Sequence, residues 1–222
     1  MITDADKTIV GVVGAGAMGA GIAQVAAAHG HTVVLADAQP ASIARARSGH
    51  LKALARDVEK GRLTREQADA VLARITYVDG VSPEQLRAFA PCGFVIEAIV
   101  EQLAAKQQLL RALEAIVAPT AILASNTSSL SIAALAGSCT NTERVVGVHF
   151  FNPAPIMPLV EIIPAITTSA AVVADARALA TAPNVAAAYE ERVRLFNLPR
   201  SQWSDFDSSL ISKGGGVFSL LM

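Results

Sequence analysis

Apolar positions along the chain alternate between short unbroken runs and stretches with helical spacing. Ile9 to Val13 is a β-branched run; after a glycine cluster, Ala23, Val25 and Ala26 continue an apolar helical pattern that Gly30 is placed to cap. Thr32 to Ala36 reads as a second buried strand ending on Asp37. Pro40 opens a helix carried by Ile43, Ala46, Leu51, Leu54 and Val58 and stopped near Gly61, and Thr64 to Gln67 has the form of a capping box for another helix reaching about Ile75. This pair predicts a helical hairpin inserted before a third strand, Ile75 to Val78. Ser82 to Gln85 opens a short helix, and Phe94 to Val100 is apolar enough for a central strand. A helix through Leu103, Lys106, Leu109, Leu110, Leu113 and Val117 follows, ended before Pro119. Ala121 to Ala124, Val145 to Val148 and Leu159 to Ile163 are the remaining strands, with a helix through Ile132, Ala133 and Leu135 after the first of them. This alternation predicts an α/β fold with a doubly wound, mainly parallel sheet.

The glycine cluster gives that sheet a chemistry. In Gly14-Ala15-Gly16-Ala17-Met18-Gly19, between a strand and a helix, Gly14 permits a tight turn, Gly16 lets backbone approach a pyrophosphate, and Gly19 lets the helix pack close on the strand. The helix N-terminus offers free N–H groups and a positive dipole end to the phosphates. Asp37 lies 23 residues beyond Gly14, where the Rossmann pattern expects an acid on the ribose 2′-OH. An acid there repels a 2′-phosphate, so NAD is preferred over NADP, while FAD stays open on this pattern alone.

Further polar residues follow strand ends, where open α/β sheets bind ligands. Glu101 follows the central strand. Ser125-Asn126-Thr127-Ser128-Ser129 supplies five small polar residues in succession where helix capping needs one, which points the others at a ligand. His149 ends a strand, and Glu161, 12 residues on in the next apolar strand, needs a partner if buried. A turn between the two strands brings them side by side as a general base with its orienting acid. The charges on the hairpin, Arg56, Lys60, Arg62 and Arg65, read first as a solvated helix face and second as contacts for an anionic substrate tail, for which Lys60 is the residue singled out.

Composition narrows the partners. The chain has 222 residues, 52% of them hydrophobic, enough for a sizeable core, and its formal net charge of −1 gives no basic field for nucleic acid or a membrane surface. No window holds eighteen apolar residues in succession, and the first residues carry acids and no apolar signal core, so a cytoplasmic location is expected. Cys92 and Cys139 are too few for a disulfide framework or a thiolate metal site, and no metal is expected. Partners are expected among small molecules.

The glycine fingerprint through Ala23, the segment Val95 to Glu101, the run Ser125 to Leu130, and His149-Phe150-Phe151-Asn152-Pro153 with Glu161 together resemble the L-3-hydroxyacyl-CoA dehydrogenase family over roughly residues 7 to 182. The resemblance implies NAD as cofactor and oxidation of a 3-hydroxyacyl-CoA to the 3-ketoacyl-CoA. By it His149 matches the general base, Glu161 its paired acid, and Ser128 the hydroxyl that holds the substrate oxygen. Glu101 and Lys106 match residues near the nicotinamide ribose. Gly14, Gly16, Ala17, Met18, Gly19, Asp37 and Asn126 complete the expected cofactor site, and Lys60 and Asn152 join Ser128 as expected substrate contacts.

The resemblance implies an NAD-binding domain over 1–182 and stops at Pro183. Residues 183–222 lack the family's Gly-Phe-Val-Asn-Arg-like segment and form an atypical tail where its helical substrate and dimer domain belongs. Intact NAD binding with weak or absent turnover is the expectation, an NAD-binding module without catalysis the alternative, and homo-oligomerisation stays open.

Overall fold

Unbroken apolar runs become the strands of one sheet because both its faces are covered. The computed structural model describes residues 8–180. In chain order these form β1 (Val10–Val13), α1 (Ala17–Ala28), β2 (Val33–Asp37), α2 (Pro40–Glu59), α3 (Arg65–Ala73), β3 (Ile75–Asp79), α4 (Pro83–Leu86), β4 (Phe94–Glu97), α5 (Leu103–Glu114), β5 (Ile122–Ser125), α6 (Ile132–Ala136), β6 (Val145–Phe150), β7 (Val160–Pro164) and α7 (Ala170–Ala180). The seven strands lie in the order β3-β2-β1-β4-β5-β6-β7. The first six are mutually parallel and β7 runs antiparallel to β6. This is the doubly wound Rossmann arrangement, and its strand order reverses between β1 and β4.

Alternate strand residues feed two cores. Val10, Val12, Val33, Leu35, Phe94 and Ile96 pack under α1, α2, α3 and α7, and Val13, Val34, Ala36, Val95 and Leu123 pack under α4, α5 and α6. The hairpin is present between β2 and β3, with Pro40 in the first turn of α2 and a complete capping box from Thr64 and Gln67 at α3. Gly30 and Gly61 each follow a helix at positive φ, 93° and 67°. In both places the next N–H bonds back to the third-last helical carbonyl, His31 to Ala26 at 3.1 Å and Arg62 to Asp57 at 2.9 Å, which is the Schellman closure.

Boundaries differ from the sequence expectation in several places, the helix expected through Val117 stopping at Glu114 among them. The strand expected over Phe94 to Val100 stops at Glu97, because the next N–H of the β5-facing set, that of Ile99, is taken by Glu97 Oε1 at 2.7 Å. The helix after β5 is capped by Ser131, whose Oγ accepts from the Ala134 N–H, and not by the Ser125 to Ser129 cluster. β6 runs on through Phe150, so His149 lies inside a strand. The expected tail over 183–222 lies outside the described residues.

Candidate active site

The glycine loop is shaped by backbone meeting backbone. Gly14 sits at φ 105°, donating its N–H to Ala36 O at 2.7 Å. A Cβ on Gly19 would lie 1.7 Å from Gly14 O, so only glycine lets α1 start this close to the loop. A Cβ on Gly16 meets nothing within 4 Å, which leaves this stretch of backbone open to an approaching ligand. At α1 no side chain caps the first turn and no acid lies in it. The Ala17 and Met18 end of the helix thus keeps its positive pole and its donors for an anion. Asp37 closes the loop from β2: Oδ2 accepts from the Ala15 N–H at 2.7 Å and Oδ1 from the Gln39 N–H at 2.8 Å. These features fit a dinucleotide with its pyrophosphate on α1 and its ribose on Asp37.

Across the switch point, β4 ends in a buried charge cluster. Glu97 is 0% exposed and accepts from Lys106 Nζ at 2.6 Å, Ser125 Oγ at 2.6 Å and the Ile99 N–H at 2.7 Å. Lys106, 1% exposed, also meets Glu101 Oε2 at 3.1 Å. Glu101 in turn gathers the polar run after β5, accepting from the Thr127 hydroxyl, from Ser129 Oγ at 3.1 Å and from the Ser128 N–H at 3.2 Å. Burial works against ionisation of Glu101, but the Thr127 and Lys106 hydrogen bonds, the Lys106 charge and the Ser129 hydrogen bond outweigh it and hold the carboxyl below its ordinary value. Ser128 itself is exposed.

On the neighbouring strand, His149 and Glu161 are direct partners in the antiparallel β6–β7 register. Their side chains meet with Nδ1 2.9 Å from Oε2, and the imidazole rests against the Phe151 ring at 4.8 Å between centroids. A carboxylate only accepts, so the proton sits on Nδ1 and the Nε2 lone pair is left available. Asn126 joins this strand to β5 by accepting the Phe150 N–H at 2.8 Å on Oδ1. Beyond β6 the chain folds back onto the glycine-loop helix: a Cβ on Gly21 would lie 3.0 Å from Pro155 Cδ.

Residues 9–186 match the family described as 3-hydroxyacyl-CoA dehydrogenase, NAD binding domain. The chain belongs to the 3-hydroxyacyl-CoA dehydrogenase family. It is 44% identical over 164 residues to the 3-hydroxyadipyl-CoA dehydrogenase of Escherichia coli K12, covering 74% of this chain and 34% of that protein. It is 42% identical over 169 residues to a probable 3-hydroxybutyryl-CoA dehydrogenase of Bacillus subtilis, covering 76% and 57%. Among solved structures, 3-hydroxybutyryl-CoA dehydrogenase from Escherichia coli K12 superposes with a TM-score of 0.75 at 42% identity, over 79% of this chain and 36% of that one. The chain thus spans between about a third and just over half of the length of these relatives. A second family, described as bacterial NAD-glutamate dehydrogenase, catalytic domain, matches residues 165–221. NAD is the cofactor of the dehydrogenase domain matched first, which decides between the NAD and FAD left open by the glycine spacing.

For a member of this dehydrogenase family, three expected site residues stand apart. Lys106, expected beside the nicotinamide ribose, is buried with its ammonium engaged by Glu97, Glu101 and the Ile99 carbonyl, so it reaches the edge through Glu101. Lys60 is exposed at the far end of α2, about 30 Å along that helix from Pro40 at 1.5 Å per residue. Asn152 is exposed in the turn after β6, before a cis peptide bond to Pro153. No group of His, Cys, Asp and Glu among the described residues is arranged to hold a metal ion, and none of their helices is long and apolar enough to cross a membrane.

Other residues of consequence were missed. Glu97 carries the signal used for Glu161, a glutamate inside an apolar strand that needs a partner. His50 sits in the apolar stripe of α2 with Ile43, Ala46 and Leu54; it is 2% exposed and bridges Tyr77 OH at 2.7 Å and the Ala20 carbonyl of α1 at 2.9 Å. Burial lowers its pKa against a smaller opposing effect of the Ala20 carbonyl. Both thiols are free and buried, and burial pushes Cys92 up to about 12.

Proposed function

We propose that this chain binds NAD along the strand ends and oxidises a 3-hydroxyacyl-CoA to the 3-ketoacyl-CoA, with His149 as base. The observation that carries the reading is the 2.9 Å His149–Glu161 pair beside a glycine loop fitted to a dinucleotide. Gly14 to Gly19 hold the pyrophosphate against α1, and Asp37 holds the adenosine ribose. NAD supplies the hydride acceptor when bound. Loss of a hydride from C3 is favourable only if the hydroxyl proton leaves with it, so a base must reach that oxygen. His149 Nε2 takes the proton, while Glu161 fixes the tautomer at Nδ1 and stabilises the imidazolium that forms. The Ser128 hydroxyl holds the same oxygen. Glu101, anchored by Lys106, orders the Thr127 to Ser129 loop that presents it, and Asn126 keeps that loop joined to β6. Lys60 and Asn152 are the remaining proposed substrate contacts.

A second reading, an NAD-binding module without turnover, is favoured by the match of residues 165–221 to another enzyme family. Titration with NAD and then with 3-hydroxybutyryl-CoA separates the two. NAD binding followed by NADH formation supports the dehydrogenase; NAD binding alone supports the module; failure to bind NAD contradicts both.

A further inference from the structure

Two carboxylates share one ammonium at the end of β4, which leaves the Glu97–Lys106–Glu101 cluster with one excess negative charge. Glu97 is surrounded by donors only, from Lys106, Ser125 and Ile99. Ser125 Oγ accepts the Thr127 N–H, so its own proton goes to Glu97. The anion is therefore satisfied where water does not reach. Glu101 is the one member of the cluster that faces solvent, with its side chain 39% exposed, and it lies 3.2 Å from the Ser128 N–H.

We propose that this excess charge makes the site favour the oxidised, cationic nicotinamide over the reduced, neutral one, and that Glu97 is the positioning residue that leaves the cluster negative. The inference rests on the proposed function, in which Ser128 holds the substrate oxygen and the hydride acceptor is consequently a neighbour of Glu101. Lys106 with Glu101 alone is neutral and treats the two redox forms alike. Adding Glu97, buried and weakly screened by salt, gives the cluster a field that only the cation feels.

The test is titration of wild type and Glu97→Gln with NAD+ by calorimetry and with NADH by its fluorescence, with folding followed by circular dichroism. The ratio of the NADH to the NAD+ dissociation constant falls about fivefold in the variant, the order expected for loss of one nearby unit charge at intermediate effective dielectric, and weaker NAD+ binding accounts for the change. A scaffold role lowers both affinities together and leaves the ratio unchanged, which contradicts the inference. Should Glu97→Gln not fold, Glu101→Gln removes the same charge from the part-exposed member. Its ratio must also fall, and an unchanged ratio there overturns the inference. Binding of both forms with an unchanged ratio sinks this inference alone, whereas binding of neither form to the wild type sinks the proposed function and this inference with it.

Discussion

His149 and Glu161 occupy directly opposed positions of an antiparallel strand pair, so the backbone ladder between β6 and β7 holds their 2.9 Å contact. Glu161→Gln keeps an acceptor of the same length beside Nδ1 but removes the charge that supports an imidazolium. NADH formation falls by about a hundredfold or more, within the range of general acid–base contributions. NAD+ affinity, read by calorimetry, stays unchanged. A parallel loss of cofactor affinity would place Glu161 in the scaffold.

Gly16 and Gly19 separate folding from binding. Gly19→Ala drives a Cβ into the Gly14 carbonyl at 1.7 Å, costs about 3 kcal/mol of stability as an overpacked backbone contact, and lowers Tm. Gly16→Ala meets nothing within 4 Å, so its stability changes by no more than surface substitutions do, about 0.5 kcal/mol, and its Tm hardly moves. Its NAD+ affinity nevertheless falls, because the added methyl stands on the face left open to the pyrophosphate. Equal behaviour of the two variants in both thermal unfolding and titration contradicts these assignments.

His50 gives a pH dependence of known sign. Its folded pKa is lowered chiefly by burial, so the unfolded chain takes up a proton more readily than the native one. The stability linked to neutral His50 is fully present above the unfolded value near 6.5 and is lost as pH falls below it toward the lowered folded value. Tm measured between pH 8 and pH 5 drops more steeply for wild type than for His50→Gln. Matching slopes contradict the role given to His50.

The parts of the fold that read directly are those where local sequence and tertiary environment ask for the same residues. Val10 to Val13 and Val33 to Ala36 are covered on both faces and therefore look like unbroken apolar runs. Gly30 and Gly61 mark helix ends because both positions need positive φ. Where a contact between distant residues decides, the sequence misleads. Phe94 to Val100 reads as one strand, but the Glu97 carboxylate captures the Ile99 N–H, the chain turns, and Val100 is left 62% exposed. Among the hydroxyls from Ser125 to Ser131, Ser131 caps α6, while Glu97 and Glu101, more than twenty residues earlier, take the Ser125, Thr127 and Ser129 protons and hold that run as the loop before the helix. The His149–Glu161 pair was legible from its spacing; the buried Glu97 beneath the same edge carried an equal signal, hidden by the apolar residues on either side.

The measurement closest to the central claim is NADH formation from NAD+ and 3-hydroxybutyryl-CoA by wild type and His149→Ala, with NAD+ binding followed on both. The account predicts formation by the wild type, its loss in the variant, and equal NAD+ affinity for the two. NADH formation that persists in His149→Ala at the wild-type rate would contradict it.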